Sequence, residues 1–87
     1  MLFKAFEWDE GNIEYILRHN IVPDEVEDAC INKPHVRKTI EKRYLVYGVT
    51  YSGRYLFVVG INKGKGVFRT ITARDMTDRE KFFYKRR

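Results

Sequence analysis

The sequence predicts an α+β domain, a mostly antiparallel sheet with helices packed largely on one face. Three observations carry that reading. The second half of the chain holds three strand-like runs joined by glycine-bearing connectors, the first half holds two short amphipathic helical patterns, and the C-terminal segment has the spacing of a capping box. The expected order of elements is β-α-α-β-β-β-β-α. With 87 residues the chain can build one core, so residues 1–87 are read as a single domain. A chain this short buries only roughly 60% of the surface its unfolded form exposes, so its margin of stability is thin. A partner that binds the folded state would add to that margin.

Leu2 to Trp8 reads as a strand, with Leu2, Lys4, Phe6 and Trp8 on one side and Phe3, Ala5 and Glu7 on the other. Asp9 is placed to cap a helix running to about His19, because Glu10 complements the dipole in its first turn and Ile13, Ile16 and Leu17 recur at helical spacing. Asn20 follows where a helix ends in a left-handed residue, which Asn tolerates. Val22-Pro23-Asp24-Glu25 starts a second helix whose apolar stripe is Val26, Ala29 and Cys30, and Asn32-Lys33-Pro34 ends it.

The stretch around Val36 to Ile40 reads as an edge strand, since isolated β-branched residues among lysines and arginines are a common way to guard an edge. Arg43 to Tyr51, Arg54 to Asn62 and Gly66 to Ala73 read as strands of a meander, joined at Ser52-Gly53 and Lys63-Gly64-Lys65. The middle run, Tyr55 to Ile61, is apolar on both faces and belongs at the centre of the sheet. Thr77-Asp78-Arg79-Glu80 then opens a helix from about Asp78 to Arg87.

Charge is distributed unevenly. Residues 1–34 carry three basic and eight acidic side chains, a net of −5, and residues 35–87 carry fourteen basic and four acidic, a net of +10. Concentrated positive charge of this kind points to a polyanion, either nucleic acid or an acidic protein segment. Lone Cys30 excludes an internal disulfide, and two unclustered histidines give no zinc-site spacing, so no metal or cofactor is expected. The N-terminus turns acidic at Glu7 before a signal-peptide core can form, and no run reaches the roughly 18 apolar residues a spanning helix needs. A cytoplasmic protein with no membrane partner is the expectation.

Arg69 and Arg74 are the first candidates for phosphate contact, since a guanidinium presents a planar fork to phosphate. Strict alternation would put Phe68, Thr70, Thr72 and Arg74 on one face and Val67, Arg69, Ile71 and Ala73 on the other, unless a bulge near Ala73 re-aims Arg74. Cleavage of RNA through its 2′-hydroxyl needs a base, cationic donors for the phosphorane charge and an acid for the leaving oxygen. Glu41 is a candidate base, with Arg43 or Arg74 as charge stabiliser and Lys42 beside them. The expectation is that Arg43, Arg69 and Arg74 converge on one phosphodiester.

His19 and His35 are acid–base candidates by residue type. His19 in the last helical turn also suits a dipole-capping role, and His35 follows Pro34 in a loop. Lys81, Lys85, Arg86 and Arg87 surround Phe82, Phe83 and Tyr84, a basic and aromatic helix suited to RNA. Phe83 is expected to pack on the sheet. Lys63-Gly64-Lys65-Gly66 lacks phosphate-loop spacing and reads as a hairpin turn, and Cys30 reads as a buried, inert thiol.

Several short motifs together resemble the BrnT family of toxin ribonucleases. They are Phe6-Glu7-Trp8-Asp9, Arg18-His19-Asn20, Val22 to Ala29, Arg43 with Gly48, Ile71-Thr72-Ala73-Arg74, Arg79-Glu80 and Tyr84, in that order along nearly the whole chain. The resemblance implies a RelE-like fold and a metal-independent endoribonuclease that arrests growth. It implies neutralisation by a BrnA-type antitoxin, in a complex that reaches operator DNA only through the antitoxin. A homodimer and a heterotetramer are both open. Carried over by position, Arg43, Arg74 and Tyr84 match the family's landmarks, with His19 behind them. Asn20 stands where the family usually has glycine, and Val49 where it often has arginine. The competing reading is a non-catalytic module that uses the same basic sheet face to bind nucleic acid or an acidic protein.

Overall fold

A computed structural model describes residues 3–87. Eight elements follow in the expected order: β1 (Ala5–Glu7), α1 (Glu10–Leu17), α2 (Pro23–Ile31), β2 (His35–Lys38), β3 (Arg43–Val49), β4 (Tyr55–Gly64), β5 (Val67–Asp75) and α3 (Asp78–Arg86). The strands form one sheet in the order β1-β5-β4-β3-β2. β2 to β5 make the expected antiparallel meander, but β1 runs parallel to β5, so the sheet is mixed and not mostly antiparallel. The cause is the crossover: α1 and α2 carry the chain from β1 to the far edge, and the meander walks back until β5 lies beside β1.

One sheet face and two helices enclose the core. Val46, Leu56, Val58, Phe68 and Ala73 meet Ile16, Ile21, Val26, Ala29 and Cys30, all essentially without exposure. Helix α2 lies directly on β3 because Gly48 has no side chain; a Cβ there would sit 2.0 Å from the Ala29 carbonyl oxygen. Caps fix the helix starts. Asp9 and Asn12 exchange reciprocal hydrogen bonds at α1, and Thr77 and Glu80 do the same at α3. Asn20 has φ of 60°, the left-handed turn expected after the first helix.

Four expectations change. The first strand is shorter than Leu2 to Trp8, and Leu2 lies outside the described residues. A bend at Lys4 lets both Phe3 and Phe6 reach the core, which strict alternation forbids. The edge strand spans His35–Lys38 and excludes Ile40, which is fully exposed in the following turn. Helix α3 leaves the side of α1 and α2: its residues meet Tyr55 and Arg74, whose side chains stand on the other sheet face. Tyr84 is its one buried residue, while Phe83 is 65% exposed and does not pack on the sheet as expected. Among the described residues no helix is long and apolar enough to cross a membrane.

Candidate functional site

The two faces of the sheet divide the charge. Acidic α1 and α2 cover one face, and the basic C-terminal portion supplies most of the other. On β5, Val59 pairs with Thr72 and Gly60 with Thr70, so Ile71 is an extra residue in a β-bulge. The bulge reverses side-chain parity. Thr70 and Ala73 both point into the core, while Arg69, Thr72 and Arg74 share the open face. The alternation that separated Arg69 from Arg74 therefore fails, by the bulge that was its stated exception.

Register then aligns three rows across the open face. His35, Tyr47, Phe57 and Arg74 are successive partners on β2, β3, β4 and β5. Arg37, Leu45, Val59 and Thr72 form the next row, and Arg43, Ile61 and Arg69 a third. In the first row the side chains touch in sequence. The His35 and Tyr47 rings lie 6.1 Å apart, those of Tyr47 and Phe57 lie 4.9 Å apart, and the Arg74 guanidinium sits 4.5 Å above the Phe57 ring. A stacked platform with a cation at one end and an imidazole at the other is the result.

Helix α3 walls this platform. Glu80, its N3 residue, receives hydrogen bonds from both terminal nitrogens of Arg74, at 2.7 and 2.9 Å. The Arg74 fork holds the Glu80 carboxyl below the usual carboxylate range, against the opposing pull of partial burial. Between α3 and the strands lies a cavity of about 140 Å³ lined by His35, Arg37, Tyr47, Glu80, Phe83 and Tyr84. Tyr84 fixes the helix in place: its hydroxyl donates to the Lys33 carbonyl at 3.0 Å and its ring meets Tyr55 edge-on.

Among the other predicted site residues, placement is uneven. Arg43 and Arg69 share a row with Ile61 between them, whereas Arg74 lies four residues along β4 from that row, roughly 13 Å at the strand rise. The three arginines share one face without converging, because the register sets them apart. Arg69 is engaged with Glu7 at 3.0 Å and Asp9 at 2.8 Å. Its hydrogen bond is the main reason the Asp9 carboxyl falls below its usual range. Arg43 is exposed and forms no ion pair among the described residues.

Glu41 and Lys42 lie in the exposed turn before β3, at the end of the sheet away from the cavity, with Lys42 at φ of 64°. His19 is exposed beyond α1, where its carbonyl accepts from Arg54, and it is not among the residues lining the cavity. Lys81 and Lys85 lie over the Tyr55 ring at 6.0 and 5.0 Å, flanking the platform.

Sequence reasoning missed three residues of this site, Arg37, Tyr47 and Phe57, and named His35 as an acid–base candidate but placed it in a loop, whereas it opens β2. The signal was present in the alternation of the strands, which puts them on one face once the pairing is known. It also missed Arg54, whose guanidinium binds Asp75 at 2.8 Å, Glu25 at 3.1 Å and the carbonyls of His19 and Asn20. That cluster ties the α1–α2 corner to β4 and β5 and is structural.

The site is a concave, basic and aromatic sheet face with a carboxylate and an imidazole at its walls, a class of surface suited to single-stranded polyanions. Comparison with protein families gives the particular case. The family of the ribonuclease toxin BrnT of type II toxin–antitoxin systems matches residues 8–80, and the chain belongs to that family. Membership indicates a ribonuclease toxin with RNA as substrate and an antitoxin protein as partner. Comparison with curated proteins gave no match.

Proposed function

We propose that this chain is a single-domain, RelE-like and metal-independent endoribonuclease. Acting in the cytoplasm, it cleaves RNA on the open sheet face and inhibits growth until a BrnA-type antitoxin neutralises it. The observation that carries this reading is the row of His35, Tyr47, Phe57 and Arg74, which sets a fork for phosphate and a proton-transfer group on one aromatic platform.

In this reading the scissile phosphate lies against Arg74, with Arg37 supplying a second cation from the neighbouring row. Both stabilise charge that develops on the phosphorane oxygens. His35 is the group that moves a proton between the 2′-hydroxyl and the leaving 5′-oxygen. Tyr84 acts by holding α3. Arg43, Lys42, Lys81 and Lys85 extend the positive track along which the rest of the strand lies, and Arg69 contributes less because two carboxylates already neutralise it. Glu41 and His19 stand outside this centre.

The test is direct. Purified protein incubated with RNA and a chelator should cleave it, and induced expression should arrest growth. Arg74→Ala in a still-folded chain should abolish both. Tight RNA binding without cleavage by the unaltered protein would favour the non-catalytic module instead.

A further inference from the structure

The cavity beside α3 shares His35 and Arg37 with the proposed phosphate site, and its remaining walls are specific too. Three aromatic side chains line it: Tyr47, already stacked on Phe57, Tyr84, which is buried, and Phe83, which is 65% exposed although it lines a pocket. One wall holds the Glu80 carboxylate and another holds Arg37 and His35. Its volume of about 140 Å³ lies well below the roughly 300 Å³ of pockets for drug-sized ligands, so it suits one flat ring system. Flanking aromatic rings are the usual seat for an unstacked base of single-stranded RNA.

We propose that this cavity is a base subsite that selects guanine next to the cleaved phosphodiester, an inference that rests on the ribonuclease reading above. The polar groups decide which base. Glu80 offers only acceptors. Its Oε1 takes hydrogen bonds from Arg74 and from the Thr77 backbone N–H, and its Oε2 takes one from Arg74, so Oε2 keeps a free lone pair. Guanine presents two adjacent N–H donors, N1–H and the N2 amine, on its Watson–Crick edge, with O6 next to N1–H and N7 beside O6 on the adjoining edge. The two donors fit the carboxylate, and O6 and N7 fit the Arg37 guanidinium, whose five N–H groups exceed what one phosphate oxygen takes up.

No other base matches both walls. Adenine and cytosine put a ring-nitrogen lone pair beside their amine, and uracil flanks its single N–H with carbonyl oxygens, so each sets an acceptor against Glu80. Recognition of the base also couples to recognition of the phosphate. When a phosphate draws the Arg74 fork away, Glu80 gains capacity for the second guanine donor, so the pair that closes the empty site exchanges partners when RNA binds.

The experiment uses the full chain and short RNAs of otherwise constant sequence that carry guanosine, inosine or adenosine at the nucleotide beside the cut. In parallel, binding of guanosine and adenosine monophosphates is followed by NMR chemical-shift changes. Guanosine should be cleaved about tenfold faster than adenosine, the worth of one charge-assisted hydrogen bond, with inosine, which lacks the N2 amine, between them. Glu80→Gln keeps an oxygen for the helix cap but replaces an acceptor with a donor, and should erase the preference. Arg37→Ala should reduce it from the other wall, on top of the general loss of rate that follows from its phosphate contact. A merely structural role for Glu80 would slow all three substrates equally in Glu80→Gln, and that result would overturn the proposal.

Equal cleavage at guanosine and adenosine would also overturn it while leaving the ribonuclease reading intact. Should no RNA be cleaved, that reading falls, and the mononucleotides decide the subsite by themselves. Preferential binding of the guanosine nucleotide supports it, and equal binding rejects it.

Discussion

Arg74 is held by Glu80 through two hydrogen bonds on one side and lies 4.5 Å above the Phe57 ring on the other, so its fork is fixed in the plane of an open sheet face. The clamp makes the guanidinium preorganised and the bond to Glu80 exchangeable for a phosphate. Arg74→Ala should lower RNA cleavage by ~10²-fold or more, the usual cost of losing one preorganised donor group. Because the pair is partly exposed, stability should fall by only about 1 kcal/mol. Arg74→Lys should recover little, since an ammonium cannot make the fork. Cleavage assays with matched thermal melts separate these effects; parallel losses of activity and of stability would count against a role in RNA contact.

Arg43 and Arg69 occupy one row of the sheet yet differ in their engagements. Arg43→Ala should weaken RNA binding modestly for every sequence and reduce the slope of log affinity against log salt by about 1. Arg69→Ala should change that slope less and stability more, because Glu7 and Asp9 hold Arg69 while Arg43 has no ion pair among the described residues. Fluorescence anisotropy across a salt series measures both, and equal slopes for the two variants would contradict the assignment.

Local rules gave the elements from sequence because each has a short-range cause. The Asp9 and Thr77 caps, the Pro23 start, the left-handed Asn20 and the period-two strands act within a few residues. Non-local features were hidden. No local signal says that β1 pairs in parallel with β5, where Phe6 meets Phe68 across 62 residues, or that α3 crosses to the open face. The candidate site fell between these cases. Arg74 stood out by residue type, but the row that gives it meaning needs the pairing of four strands and one bulge at Ile71. His35 was undervalued because its strand is short and lies at the edge.

Arg54 joins four groups from the α1–α2 corner and the end of β5, and it is three-quarters buried. Removing it leaves Glu25 and Asp75 without their cation and two carbonyls without a donor. Arg54→Ala should cost about 2 kcal/mol, which for a domain of this size is a fall of roughly 10 °C in Tm. Calorimetry of the variant tests this, and a shift within error of zero would show that water replaces the guanidinium fully.

Gly48 marks the closest approach of a helix to the sheet. Gly48→Ala would drive a methyl group against the Ala29 carbonyl, so α2 must lift from β3, and the loss should be on the order of 3 kcal/mol. Urea unfolding reads it as a lower midpoint. Tolerance of alanine there would mean that α2 slides without penalty.

Cys30 is buried at the centre of the helix–sheet contact, and burial pushes its thiol up to about 12. At neutral pH the folded protein should therefore leave a thiol-specific disulfide reagent unreacted for as long as it stays folded, and react with one equivalent in denaturant. Fast reaction under native conditions would reveal opening of α2 from the sheet.

Acid should act through Asp75 and Glu80. Hydrogen bonds from Arg54 and Arg74, respectively, are the main cause that lowers each carboxyl below its usual range in the folded protein. A carboxyl depressed by folding contributes stability that is fully present above its unfolded value, about 4, and is lost as pH falls through the folded value. Stability should thus hold from neutrality to about pH 5 and decline below about 4, more gently at high salt, because Asp75 is half exposed and screened. Glu80→Gln and Asp75→Asn should start lower at pH 7 yet lose less on acidification, since each has removed one group that must take up a proton. Urea midpoints at neutral and acid pH measure the difference, and curves for the variants that run parallel to the original chain would place the acid sensitivity in other carboxylates.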